Sequence, residues 1–174
     1  MTFATSIVKS ETLPGVVSIT HSKFSDHRGA IWTTFDENSF GCDLPLGLLF
    51  NHDKFAVNKK NVLRGIHGDT KSWKLVTAVS GIFYQVVVDC REQSPTYLKH
   101  EAFSLNTTDP ISVLIPPGFG NAFLSLSDMS VYHYKLAYLG NYNDAHDQFT
   151  FKWNDPQIKI VWPSSDPILS ERDK

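Results

Sequence analysis

Along this chain the hydrophobic positions recur at every second residue rather than every third or fourth. The segments VVSIT (16–20), AIWTTF (30–35), KLVTAVSG (74–81), IFYQVVVD (82–89) and SVYHYKLAY (130–138) are rich in Val, Ile, Thr, Phe and Tyr. These residues suit a pleated, half-buried surface, and their partial alternation predicts strands. Turn-forming clusters separate them: SDHRGA (25–30), REQSPT (91–96), NTTDP (106–110), PPGFGN (116–121) and NYNDAHD (141–147). No stretch carries a long helical stripe, so helices are expected only as short pieces, at 36–41 and in the C-terminal tail. Many short strands separated by a turn roughly every 8–12 residues predict an all-β sandwich or barrel. The end of the chain, WNDPQIKIVWPSSDPILSERDK (153–174), is dense in Pro and Trp. Large aromatics seldom sit in a free tail, so this segment is expected to wrap across the barrel.

Composition narrows the picture. At 174 residues without repeat or linker, the chain is expected to form one domain over 1–174. A domain of that size buries roughly 70% of its unfolded surface and folds without disulfide or metal. A net charge of -2 with no concentrated basic face argues against a nucleic-acid partner. Cys42 and Cys90 lack a CxxC partner or metal-ligand spacing, which fits small semi-buried residues in a reducing compartment. No run approaches the roughly 18 apolar residues that cross a bilayer, and no basic leader opens the chain, so a cytoplasmic location without membrane attachment is expected.

Three clusters can carry chemistry. In VLRGIHGDTKSWKL (62–75), Arg64, His67 and Lys74 flank a strand–turn–strand unit and can converge on one concave face. An imidazole suits proton transfer near neutrality, and the two cations can hold an anion or an oxyanion. A histidine that only bonds a turn, beside two solvated cations, is the plainer alternative. In MSVYHYKLAYLGNY (129–142), Tyr132, Tyr134 and Tyr138 share one face by parity, opposite His133 and Lys135. A tyrosine inside a barrel can donate a proton; stacked core aromatics are the alternative, preferred for Tyr132. In FKWNDPQIKIVWP (151–163), Asp155 can orient an imidazole, although Asn-Asp-Pro also reads as plain turn chemistry.

The three clusters occur in one order in a known family. With FSDHRG (24–29), VLRGIH (62–67), WKLVTAVSG (73–81), VVVDCREQSPT (86–96), IPPGFGNAFLSLSD (115–128), YHYKLAY (132–138), WNDP (153–156) and VWPSSDPILSERD (161–173), the chain resembles the nucleotide-sugar 3,5-epimerases. The resemblance implies a cupin-like jelly-roll barrel, a homodimer, and epimerisation of a nucleotide-linked 4-keto sugar without organic cofactor or metal. It implies His67 as base with Asp155 behind it, Tyr134 as acid on the opposite sugar face, and Lys74 at the enolate oxygen. Arg64 is implied as a sugar or phosphate contact, and Arg28 as a diphosphate ligand on an arm that reaches the neighbouring subunit. Asp69, Asn121 and Tyr138 are expected to line the substrate pocket.

Asp69 and Asn121 stand where the family commonly has Gln and His. These departures resemble a branch acting on GDP-linked 4-keto-heptoses for capsular polysaccharide, which makes that substrate the first expectation. A C-3-only epimerase and a dTDP-4-dehydrorhamnose 3,5-epimerase are the alternatives, and a 3,4-ketoisomerase of related fold is a further rival. Outside that class stand a metal-dependent cupin and a non-catalytic sugar-binding jelly roll. His67-Gly68-Asp69 and Asn121 leave the metal-dependent reading short of the usual three protein ligands.

Overall fold

A computed structural model describes residues 5–37 and 44–174. Most of the helix expected at 36–41, and Cys42, lie outside the described residues. The strands are β1 (Thr5–Lys9), β2 (Val17–His21), β3 (Lys23–Asp26), β4 (Gly29–Trp32), β5 (Phe50–Lys59), β6 (Leu63–Gly68), β7 (Trp73–Ser80), β8 (Ile82–Asp89), β9 (His100–Asn106), β10 (Ile111–Ile115), β11 (Phe119–Ser125), β12 (Met129–Ala137) and β13 (Phe149–Thr150). Helical structure among the described residues is limited to single 3-10 turns at Asp144–His146 and Glu171–Asp173. The second of these is the short helix expected in the tail.

Two antiparallel sheets face each other. One runs β1-β2-β10-β7-β12-β5 and the other β13-β6-β11-β8-β9; β3 and β4 form a separate hairpin. Neither large sheet closes on itself, so the all-β jelly-roll expectation holds as a sandwich of two open sheets. Alternation on the facing strands fills the space between them. Val76, Ala78, Val113 and Tyr132 from the first sheet meet Phe83, Val87, Leu105, Phe119 and Phe123 from the second, all fully or almost fully buried. Phe83, Phe123 and Tyr132 are in mutual ring contact with centroids 4.2–5.2 Å apart. The strand predicted at 30–35 ends at Trp32, and β1, β3, β5, β9, β10, β11 and β13 appear where no strand was expected. β11 begins inside the expected turn 116–121, because only Pro117 and Gly118 are needed to reverse the chain.

The outer faces are covered differently. On the second sheet, Ile66, Val86, Val88 and Ala122 pack under Ile158, Ile160 and Trp162 from the C-terminal segment. Trp162 Nε1 donates to the carbonyl of Trp153 at 2.8 Å, and the tail is pinned to β6 by Leu63 N–H donating to Ile168 O at 3.0 Å. The expected wrap is therefore present. On the first sheet, Val17, Ile19, Leu75 and Leu114 pack under Phe35, Leu44, Phe50 and Trp73.

Candidate active site

One local irregularity shapes the site. In the β6–β11 pairing, Asn121 lies opposite His67 but Phe123 lies opposite Arg64. Two steps on β11 thus match three on β6, a bulge in β6. In a regular strand Arg64 and His67 would point to opposite faces; with the extra residue both line one cavity. Gly65 makes the bulge possible. Its φ is 122°, and a Cβ there would sit 2.5 Å from that of Ala122.

The cavity holds about 440 Å³ between the two sheets. His67 enters from β6 of one sheet. Lys54 from β5, Lys74 from β7 and Tyr134 from β12 enter from the other. The tail adds Ser170, Arg172 and Asp173, and the loop after β12 adds Tyr142, Asp144 and Gln148. Of the residues expected from sequence, His67, Tyr134, Lys74, Arg64 and Asn121 are brought together here.

The carboxylate at His67 is a correction. Asp173, not Asp155, places Oδ1 2.6 Å from His67 Nε2. The pair is close in distance without being aligned as a hydrogen bond, and neither atom has another partner. Asp173 is 3% exposed and its other oxygen accepts from Ser170 Oγ at 2.7 Å. Burial alone would raise its pKa, but His67 and Ser170 outweigh burial and hold the carboxyl below its ordinary range. Asp155 instead accepts from the backbone N–H of Gln157 at 2.8 Å, the turn role its Asn-Asp-Pro context also suggested.

Lys74 is 4% exposed, and its ammonium donates to Asp69 Oδ2 at 2.8 Å. Burial lowers its pKa while Asp69 works against that drop. Asp69 is a second correction. Its carboxylate does not line the cavity but is closed inside the turn after β6, accepting from the N–H groups of Lys71 and Ser72 and from Ser72 Oγ.

Tyr134 rests on the buried ring of Tyr132, centroids 4.7 Å apart, with the Lys54 ammonium 5.8 Å from its own centroid. Burial raises its pKa well above the usual tyrosine value, and Arg64 only partly opposes this. The parity argument holds for Tyr132, Tyr134, His133 and Lys135: the last two turn outward onto Asp53. It fails at Tyr138, because β12 ends at Ala137. Tyr138 bonds His52 Nδ1 at 3.1 Å and packs on Tyr142, which lines the cavity in its place beside Tyr134. Asn121 Oδ1 accepts from Gln85 Nε2 at 2.6 Å, while Tyr132 donates to Gln85 Oε1 at 2.5 Å.

Arg28 sits at the β3–β4 tip, its side chain 76% exposed and paired with Asp26 at 2.6 Å, and it does not line the cavity of its own chain. Sequence reasoning missed Asp173, Arg172, Tyr142, Asp144, Gln148 and Lys54. The usable signals were the polar run NYNDAHDQ, read only as a turn, and SERD in a tail expected to wrap the barrel.

The model of a family described as dTDP-4-dehydrorhamnose 3,5-epimerase matches residues 10–174. The dTDP-4-dehydrorhamnose 3,5-epimerase of Salmonella typhimurium is 32% identical over 171 residues, covering 96% of this chain and 92% of the relative. Among solved structures, the dTDP-6-deoxy-D-glucose-3,5-epimerase of Legionella pneumophila, in complex with dTDP-4-keto-L-rhamnose, superposes with a TM-score of 0.86 at 28% identity, covering 98% of this chain and 90% of that one. A 3'-monoepimerase from Streptomyces bikiniensis, in complex with dTDP-quinovose, superposes with a TM-score of 0.84 at 30% identity, covering 95% of this chain and 84% of that one.

Proposed function

The chain belongs to the dTDP-4-dehydrorhamnose 3,5-epimerase family, a family of isomerases, and on that footing we propose that it inverts C-3 and C-5 of a dTDP-linked 4-keto-6-deoxyhexose. The observation that carries this reading is that His67, backed by Asp173, and Tyr134 enter one cavity from opposite sheets, with Lys74 beside them. A 4-keto group acidifies the protons on its two neighbouring carbons. His67 removes one; the carbanion delocalises onto the ketone oxygen as an enolate, which the Lys74 ammonium stabilises. Tyr134, kept protonated by burial, returns a proton from the other face and so inverts the centre. Arg64 and Arg172 also line the cavity, and the Arg172 Nη2 has no hydrogen-bond partner; both suit a diphosphate. The whole of 1–174 acts as one domain in this reading.

The relatives reported above are named for dTDP sugars or were solved with one, which supports this substrate over the GDP-4-keto-heptose of capsular polysaccharide. The heptose remains a second reading on Asn121, which lines the cavity where the family commonly carries His. The similarity to a 3'-monoepimerase supports C-3-only inversion as a variant of the same chemistry.

A homodimer forms part of the proposal. Phe24 and Ile31 on the β3–β4 hairpin, and Phe55, Val57, Val79 and Met129 on the first sheet, are large exposed apolar side chains that a second copy would cover. Arg28 would then reach the partner's cavity. Sedimentation analysis of the wild type and of Ile31→Asp checks the dimer; a wild-type monomer removes it.

The reaction is tested in deuterium oxide with dTDP-4-keto-6-deoxyglucose and with GDP-4-keto-heptose, following C-3 and C-5 by NMR. Uptake at both carbons of the dTDP sugar is expected. Uptake at C-3 alone reduces the activity to monoepimerisation, uptake only in the heptose moves the substrate to the second reading, and none in either sugar rejects the epimerase.

A further inference from the structure

Lys74 presents a problem of charge. Its side chain is 5% exposed, and an ammonium so far from water loses its proton more readily than one in solution. A neutral amine stabilises an enolate far less than an ammonium does. Near Lys74, Lys54 is bonded to Asp144, and the Asp173 carboxylate is taken up by His67 and Ser170. Arg64 and Arg172 add further positive charge to the cavity wall. Tyr134 and Tyr142 are both held neutral there by burial. The carboxylate in direct contact with the Lys74 ammonium is that of Asp69.

Asp69 is placed as a counter-ion rather than as a ligand. Its side chain is fully buried and outside the cavity lining. Oδ1 accepts from the N–H groups of Lys71 and Ser72 at 2.9 and 2.6 Å, and Oδ2 from Ser72 Oγ at 2.6 Å and Lys74 Nζ at 2.8 Å. Three donors besides Lys74 hold this carboxylate ionised and fixed in direction. The turn Asp69–Ser72 thus closes on itself and offers one oxygen to the first residues of β7, where Lys74 stands.

We propose that Asp69 is a positioning residue: a buried counter-ion that keeps Lys74 charged and aims its ammonium into the cavity, without touching the substrate. The inference rests on Lys74 as the enolate partner in the reaction proposed above. It separates Asp69 from the sugar-binding role expected from sequence.

The test reads Lys74 directly. In protein labelled with 13C at the lysine ε-carbon, the Lys74 resonance, assigned with Lys74→Arg, is titrated between pH 7 and 11 in the wild type and in Asp69→Asn. Loss of the carboxylate should move the Lys74 titration to lower pH. With a 4-keto sugar that the enzyme turns over, the alkaline limb of kcat should move with it, kcat should fall by about 10²–10³-fold as for the loss of one oxyanion donor, and KM should change far less. Asp69→Glu, which keeps the charge, should restore the limb. An unchanged Lys74 titration in Asp69→Asn overturns the counter-ion role whatever the substrate proves to be. A limb that stays in place while Lys74 shifts overturns the catalytic consequence. Should Asp69→Asn fail to fold, the wild type alone decides: its alkaline limb must coincide with the Lys74 titration, and a mismatch rejects the proposal.

Discussion

Asp173 Oδ1 stands 2.6 Å from His67 Nε2, joining the last 3-10 turn of the chain to β6 across more than half the sequence. A carboxylate in that position stabilises the imidazolium that forms when the base takes its proton. Asp173→Asn is therefore expected to lower kcat by about 10²–10⁴-fold with the fold intact. Asp155→Asn should stay within about twofold of wild type, since it alters only a turn. Steady-state kinetics on the two variants side by side distinguish them, and the opposite ranking would restore Asp155 to the dyad.

Tyr134 faces His67 from the other sheet, which divides the reaction into proton removal and proton return. Tyr134→Phe should keep proton–deuterium exchange into the sugar, because His67 and Lys74 still form the enolate. Net inversion should fall by about 10²–10⁴-fold, the usual contribution of a general acid. Burial holds this phenol above its usual pKa, so the acid form persists through neutral and mildly alkaline pH. An alkaline limb that survives unchanged in Tyr134→Phe agrees with this; equal loss of exchange and inversion would contradict separate roles.

The loop after β12 is fixed at two points: Asp144 bonds Lys54 on β5, and Asp147 bonds Lys71 in the turn after β6. Through these contacts Tyr142, Asp144 and Gln148 form one wall of the cavity. The Lys54–Asp144 pair is half open to solvent and adds less than about 1 kcal/mol to stability. Its effect should appear in substrate binding. Asp144→Ala is expected to raise KM roughly three- to tenfold at nearly constant kcat, as when a contact shared by ground and transition state is removed. A fall in kcat with unchanged KM would instead give Asp144 a part in the chemical step.

How far the sequence reached can be followed through particular residues. β7, β8 and β12 were legible from their content of Val, Ile, Thr and Tyr, although β7 and β8 are buried on both faces over most of their length. β11 is equally buried, Phe123 between the sheets and Ala122 under the tail, but Gly120, Asn121 and Ser125 deny it β-branched composition and made its start read as a turn. Arg64 and His67 were read as converging, but a regular strand would have separated them; the bulge at Gly65 unites them, and no two-residue period encodes it. Asp155 and Asp173 illustrate the same difficulty over a longer span. Both carboxylates belong to one tail, and only the path of that tail, fixed by the Leu63–Ile168 hydrogen bond and the burial of Ile158 and Trp162, decides which one meets the imidazole.

Away from the cavity, Asp89 at the end of β8 is fully buried and accepts from Arg91 Nε and Nη2 at 2.8 and 2.7 Å, from Ser94 Oγ at 2.5 Å and from Thr96 Oγ1 at 2.6 Å. Burial would raise its pKa, but these donors prevail and hold the carboxyl far below the usual range. A carboxyl depressed in the folded state stabilises fully above its unfolded pKa of about 3.9, and that contribution is lost as pH falls through the folded value. The Arg91 side chain is 40% exposed, so its charge is partly screened and the hydroxyls carry a larger share. Asp89→Asn places an N–H₂ against those donors and should cost about 2 kcal/mol near neutrality, or roughly 4–8 °C in Tm for a chain of this length. Thermal melts of both proteins should differ by a constant amount above about pH 5. The gap should narrow below about pH 4, where Asp89 of the unfolded wild type begins to take up the proton that the folded network refuses. A gap that widened on acidification would show that the Asp89 network is not what these donors hold together.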